Sequence, residues 1–179
     1  MSASASMTAR LVSLYQSAPL EVQTAGNSWY ADARREARAM AREHGTTEAV
    51  AAGVIAALSP RIHWVRNLTV ARLALAGGKV TGVFKTNLAK ARRILAGEKP
   101  LGVLSGPKTR AFYRALMGDQ TAAVIDVWML RAVRYANDKV SAIDYQRITA
   151  ALSRAAQRVG VTIARMQAII WVVVRGRAG

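Results

Sequence analysis

The stretch Leu104-Ser105-Gly106-Pro107-Lys108-Thr109-Arg110-Ala111-Phe112-Tyr113 reads as a tight glycine turn running straight into a helix. Proline at the first helical position is preorganised for a helix start. The N–H groups of the turn and first helical turn have no intrahelical partner and favour an anion such as a DNA phosphate. Ser105, Gly106, Lys108, Thr109 and Arg110 are therefore expected to face nucleic acid. Eleven residues further on, Val124-Ile125-Asp126-Val127-Trp128-Met129-Leu130-Arg131 holds an apolar pair too short for a sheet. Asp126 then stands at the N-cap of another helix, with Arg131 one and a half turns beyond it.

Outward from this segment the apolar spacing is mostly helical. Helices are predicted over Thr8–Ala18, over Trp29 to about His44 behind the turn-like Ala25-Gly26-Asn27, and over Ala49–Leu58 behind Thr46 or Thr47. The last of these is apolar on all sides, which marks a helix central to its fold, and Ser59-Pro60 ends it. Further helices are predicted over His63–Ala76, Thr86–Ala96, Pro107–Met117, Val127–Ala136, Asp144–Val159 and Ile163–Arg175. Glu98–Gly106 reads as an ordered loop. Ser141 through Asp144 resembles a capping box with Asp in place of Glu, and Thr162 is a cap. With no repeat and no linker, the chain is expected to form a single compact all-α domain over residues 1–179.

The charge narrows the partner. In 179 residues there are 26 Lys plus Arg against 10 Asp plus Glu, a formal net charge of +16. Hydrophobic residues make up 52% of the chain, too many for a disordered basic tail, so the charge sits on a folded body. Arg34, Arg35, Arg38 and Arg42 share one helix with only local acidic relief, and Lys90, Arg92, Arg93, Lys99, Arg110 and Arg114 add to the excess. A surface that binds DNA accounts for them better than scattered solvated faces. Cysteine is absent, which removes disulfides, thiolate metal sites and iron–sulfur clusters, and two histidines are too few for a histidine-rich metal centre. No metal and no cofactor is expected. The start, Met1 to Met7, reads as a frayed terminus and not a signal peptide, and the longest apolar run, Ala168–Val174, is far short of the roughly 20 residues a membrane span needs. A soluble, cytoplasmic monomer is expected, in the host cytoplasm if the source is viral.

Read together, the two opening segments resemble the active-site region of the helix-hairpin-helix DNA glycosylases, the endonuclease III-like superfamily. Gly106, Lys108 and Thr109 match its hairpin exit, 126 − 108 = 18 matches its Lys-to-Asp separation, and Arg131 falls on its downstream arginine. Leu58-Ser59-Pro60-Arg61, with Trp64 and Asn67 behind it, looks like the family's segment that feeds a loop into DNA near the extruded base. The pattern is similar to small, cluster-free phage and bacterial members. It covers roughly Thr47 to Ala136. The chain departs from the family where Leu104 and Ser105 replace hairpin glycine and valine, where Trp128 replaces the histidine after the aspartate, and in lacking the cluster cysteines.

The resemblance implies a two-lobed fold. Residues 47–136 would form a helical-barrel lobe carrying the hairpin and the catalytic Asp, residues 8–45 and 137–179 would form a second lobe, and a basic cleft would separate them. It implies excision of a damaged or modified base from a nucleotide flipped out of duplex DNA. Asp126 would stabilise the positive charge that develops on the sugar and orient the attacking water. Lys108 would be either a phosphate contact or the nucleophile of an accompanying lyase step. Arg61, His63 and Trp64 are candidates to fill the gap left by the flipped base, although Trp64 and Trp128 also read as core anchors. Trp29, Tyr30, Gln167 and Trp171 read as packing of the second lobe, with the alternative that a tryptophan whose N–H turns to a cleft recognises a base. The rival readings are a phage base-hypermodification enzyme on the same scaffold and a catalytically silent DNA-binding protein.

Overall fold

The computed structural model describes residues 3–137 and 139–176, and every regular element among them is helical. The helices are α1 (Ala3–Gln16), α2 (Leu20–Glu43), α3 (Glu48–Leu58), α4 (Trp64–Leu75), α5 (Lys85–Leu95), α6 (Pro100–Val103), α7 (Pro107–Leu116), α8 (Val127–Ala132), α9 (Ala142–Val159) and α10 (Ile163–Arg175). None is long and apolar enough by itself to cross a membrane.

Local chemistry sets most boundaries. Thr47 caps α3 by accepting the Val50 N–H, Ser141 caps α9 by accepting that of Asp144, and Thr162 caps α10 by accepting that of Arg165. Gly160 closes α9 in the left-handed conformation. Helix α8 stops earlier than its apolar pattern suggests. Arg134 adopts a positive φ of 55°, and the N–H groups of Arg134 and Tyr135 turn back onto the carbonyls of Arg131 and Leu130. Arg10 donates to the Ala132 carbonyl at 2.6 Å, satisfying another free acceptor at that end.

Three expectations are corrected. The N-terminal segment is helical from Ala3, not frayed, with residues 1 and 2 outside the described part. The segment Glu98–Gly106 contains the short helix α6. Most consequentially, no turn interrupts residues 25–27, because α2 is one helix of 24 residues. A Cβ on Gly26 would lie 2.6 Å from the Ile169 Cα. The glycine is there to let α2 lie against the backbone of α10, not to break a helix.

The chain forms two compact units, and their limits differ from those expected. One runs from the N-terminal end to Tyr30 and resumes at Asp119, and the other spans Ala31–Gly118. Asp126 thus belongs with the terminal helices and not with residues 47–116, because α8 packs on α10 and α1. In that first unit Leu11, Met129, Ile148, Leu152, Met166 and Ile170 share a fully buried core. In the second, α3 lies against α4, α5 and α7 with Ala51 through Leu58 buried, as its uniform apolarity requires.

Ion pairs also shape the second unit. Glu48 at the start of α3 accepts from Arg34 at 2.5 Å and Arg38 at 2.9 Å, and Glu36 accepts from Arg72 at 2.7 Å. The acidic relief for the α2 arginines therefore comes from Glu48 on the next helix as well as from Asp32, which pairs with Arg35. Burial works to raise the Glu48 carboxyl, but the hydrogen bonds and charges of Arg34 and Arg38 outweigh it and hold the group below the ordinary glutamate value of 4.5.

Two outcomes are expected. Gly26→Ala should destabilise the protein by about 1–3 kcal/mol through overpacking, despite alanine's better helix propensity, as read from urea unfolding. Glu48→Gln should cost up to about 1 kcal/mol at neutral pH. That difference should be full above pH 4.5 and vanish as the pH falls through the lowered carboxyl value, because the depressed pKa stabilises only the charged form.

Candidate functional site

The segment leading to Asp126 is extended and pinned from both sides. Val124 and Ile125 are buried, and the Tyr145 hydroxyl donates to the Ala123 carbonyl at 2.7 Å while accepting the Ile125 N–H at 3.3 Å. The chain then enters α8 with Asp126 as its N-cap. One carboxylate oxygen, Oδ1, accepts the N–H groups of Trp128 and Met129, both at 3.0 Å. The other, Oδ2, accepts the indole N–H of Trp171 on α10 at 2.9 Å. The carboxylate is therefore fixed in orientation by three donors, yet the residue is only half-buried.

Trp171 links the carboxylate to two further aromatic rings. Trp29 packs against Trp171 with ring centroids 5.7 Å apart and meets the edge of Tyr30 at 4.8 Å, and the Arg175 guanidinium lies 4.5 Å from the Trp171 ring. The Tyr30 hydroxyl donates to Gln167 Oε1 at 2.6 Å. Burial pushes the Tyr30 phenol well above the ordinary tyrosine range, with the negative Asp126 adding to the effect. Burial also raises Tyr145, with Asp126 adding and the Ile125 hydrogen bond opposing. Both phenols are donors at neutral pH. On the far side of α8, Arg131 is exposed, with its guanidinium 4.5 Å from the Trp128 ring.

A second group gathers at the turn between α6 and α7, in the unit spanning Ala31–Gly118. Gly106 is the N-cap of α7 with φ of 83°, a conformation that favours glycine. Arg110 reaches back from α7 to donate to the carbonyls of Leu101 at 2.5 Å and Leu104 at 3.3 Å, so its guanidinium clamps the turn. Lys90 donates to Ser105 Oγ at 2.7 Å, adding a cation to this end. Lys108 and Thr109 occupy the first turn of α7, both half-buried. Lys108 and Asp126 lie in different compact units.

The third group stands at the start of α4. Arg61 has a positive φ of 62° and sits 6.0 Å from the ring of exposed Phe84. His63 is the exposed N-cap residue of α4, and Trp64 meets the edge of Phe112 at 6.4 Å, partly as the core anchor its size suggests. Asn67 does not belong with them. It is 2% exposed and donates from Nδ2 to the Ile55 carbonyl at 3.2 Å, so it binds α4 to α3 and is withdrawn as a DNA contact.

In the sequence, Asp126 and the glycine turn before α7 stand out, whereas Tyr30, Gln167 and Trp171 read as packing, with base recognition by a tryptophan N–H as the alternative. Their spacing on α10 carried a signal, since residues 167 and 171 are one turn apart and share a face. Among the described residues no cluster of His, Asp or Glu is arranged to hold a metal ion.

Residues 1–178 match the family described as "Family of unknown function (DUF7178)". No curated protein and no solved structure matches the chain.

The cap and the indole bond are separable by substitution. Asp126→Ala should cost about 2 kcal/mol in urea unfolding, from a lost cap and an orphaned Trp171 N–H. Asp126→Asn keeps a capping oxygen and should cost about 1 kcal/mol or less. Equal losses would show that capping is not what holds this carboxylate.

Proposed function

Since the chain belongs to DUF7178, a family of unknown function, its residues must supply the chemistry, and we propose that it is a DNA glycosylase of the helix-hairpin-helix type. It would excise a base from a flipped nucleotide, with Asp126 as the carboxylate that acts on the base–sugar bond. The observation that carries this reading is the fixed, half-buried carboxylate of Asp126 beside Trp171, Trp29 and Tyr30.

Breaking an N-glycosidic bond builds positive charge on the sugar. A carboxylate already oriented by Trp128, Met129 and Trp171 needs no reorganisation to stabilise that charge, and it can hold the water that attacks. Aromatic rings offer faces and edges against which an extruded base can pack. The net charge of +16 supplies the long-range attraction to the duplex. At the α6–α7 turn, the free N–H groups at the start of α7 and the nearby Lys90 and Lys108 suit a phosphate. Lys108 is also the candidate for attack on C1′, which would give a Schiff base and strand cleavage.

The test is base release, followed by mass spectrometry, from duplexes carrying a panel of damaged and hypermodified bases. Asp126→Asn should lower release by about 100-fold or more while leaving DNA affinity within a few-fold. Borohydride trapping on abasic DNA, lost in Lys108→Ala, would establish the lyase step. DNA binding without release from any substrate would sink the glycosylase reading and leave a DNA-binding protein.

A further inference from the structure

Helix α4 keeps part of its apolar surface in the open. Val65 is 69% exposed and Leu73 is 39% exposed. With Thr69 between them, these residues recur every four positions and form one stripe, which rises about 12 Å along the helix. A cavity of about 550 Å³ lies against the stripe. Val65, Val70 and Leu73 give its apolar lining, and Arg66, Thr69 and Thr81 give polar groups. All six belong to the unit spanning Ala31–Gly118.

The residues after α4 make room for this surface. A Cβ on Gly78 would collide with Leu73 Cδ1, and one on Gly82 would collide with Arg66 Nη2. One apolar and one cationic side chain of the cavity therefore lie against bare backbone. Arg66 Nη2 also donates to the Thr81 carbonyl across a long 3.4 Å. That bond engages one nitrogen of an exposed guanidinium, and no carboxylate pairs with Arg66 among the described residues.

The charge of this stretch has one sign. Residues 49–97 hold eight Lys or Arg and no Asp or Glu. The acids that pair with it are taken elsewhere, Glu36 and Glu43 by Arg72 and Glu98 by Arg93. A second copy of the chain would bring another +16 to the same surface, and like charge opposes that union. Nucleic acid would satisfy the cations but gains little from the lining, where the His63 imidazole is the one ring a base could stack on. An apolar side chain would recover the aliphatic surface at about 25 cal/mol per Å². Polypeptide that carries carboxylates and apolar side chains together suits both features.

We propose that the α4 cavity is a docking site for an acidic, apolar segment of a partner protein, with an apolar side chain against Val65 and Leu73 and a carboxylate on Arg66. The two parts work jointly. A carboxylate can take two guanidinium N–H groups in parallel, and the apolar side chain keeps water from the pair. An uncharged apolar segment would desolvate Arg66 without pairing it, and a purely acidic one would gain only an exposed ion pair. The site is independent of the chemistry proposed at Asp126, which belongs to the other unit.

Selection of a random dodecapeptide library on the immobilised protein tests this. Enriched peptides should combine Asp or Glu with Leu, Ile, Met or Phe. By fluorescence anisotropy, the tightest of them should bind Val65→Ser and Leu73→Ser about tenfold more weakly, the scale of one buried aliphatic side chain. Arg66→Gln should cost about the same, through loss of a charge-assisted pair. Val65 is exposed enough that Val65→Ser keeps the fold whatever Leu73→Ser does. Peptides enriched in acids alone, or binding that survives Val65→Ser and Arg66→Gln, would reveal attraction by net charge and overturn the proposal. A library that yields no peptide sensitive to these variants would overturn it too. Duplex DNA affinity that falls tenfold in Val65→Ser would assign the surface to nucleic acid instead, and a dimer in sedimentation that Val65→Ser dissolves would assign it to a second copy.

Discussion

The absence of a side chain at Gly26 is the constraint on which the surroundings of Asp126 depend. A Cβ there would sit 2.6 Å from both Cα and Cγ1 of Ile169, so only glycine lets α2 approach α10 this closely. A glycine inside a helix costs about 1 kcal/mol relative to alanine. The cost is offset by what the contact positions. One turn later, Trp29 and Tyr30 face Trp171 and Gln167, and Trp171 in turn holds Oδ2 of Asp126. Backbone-to-backbone approach of two helices thus fixes a carboxylate on a third.

The basic charge divides by the same logic of use. Arg34, Arg38, Arg72 and Arg93 hold acids within the second unit, and Arg10 and Arg110 serve carbonyls at a helix end and a turn. Such arginines are structural whatever the partner. Even if every one of the 10 acids neutralised a cation, 26 − 10 = 16 positive charges would remain. Internal pairing cannot absorb an excess of that size, so the surface carries a positive charge that repels itself and attracts anions. Arg110 shows why counting alone misleads, since its guanidinium is committed to Leu101 and Leu104 and the remaining positive charge at the α6–α7 turn comes from its neighbours.

What was legible in the sequence is what neighbouring residues decide. The all-α class, the caps at Thr47, Asp126, Ser141 and Thr162, and the buried character of α3 each follow from residue types a turn or two apart. What was not legible is decided across the chain. Ala25-Gly26-Asn27 has the chemistry of a turn, and only Ile169, 143 residues on, makes it helix. Asn67 looks like a surface residue until the Ile55 carbonyl claims it. The boundary between the two units falls inside α2, where an unbroken helix hides the change from a nearly uncharged stretch before Tyr30 to an arginine-rich one after it. Tyr30 and Gln167, 137 residues apart, are both ordinary packing residues until their hydrogen bond is seen.

Capping and the chemistry proposed at Asp126 are not competing explanations. A carboxylate that serves as an N-cap has one oxygen committed to backbone N–H groups, and that commitment fixes the direction of the other. Here the second oxygen meets an indole N–H, a single neutral donor, and no cation among the described residues pairs with the group. Under the proposed glycosylase chemistry, an Arg or Lys partner would neutralise the charge that a developing cation on a sugar requires. An indole orients the oxygen and leaves the negative charge intact. Asparagine also caps well, and the charge of an aspartate adds a favourable interaction with the helix N-terminus. It is the combination of a fixed direction, an unneutralised charge and a half-buried position linked to aromatic rings that distinguishes Asp126 from Ser141 and Thr162, which cap α9 and α10 without charge of their own.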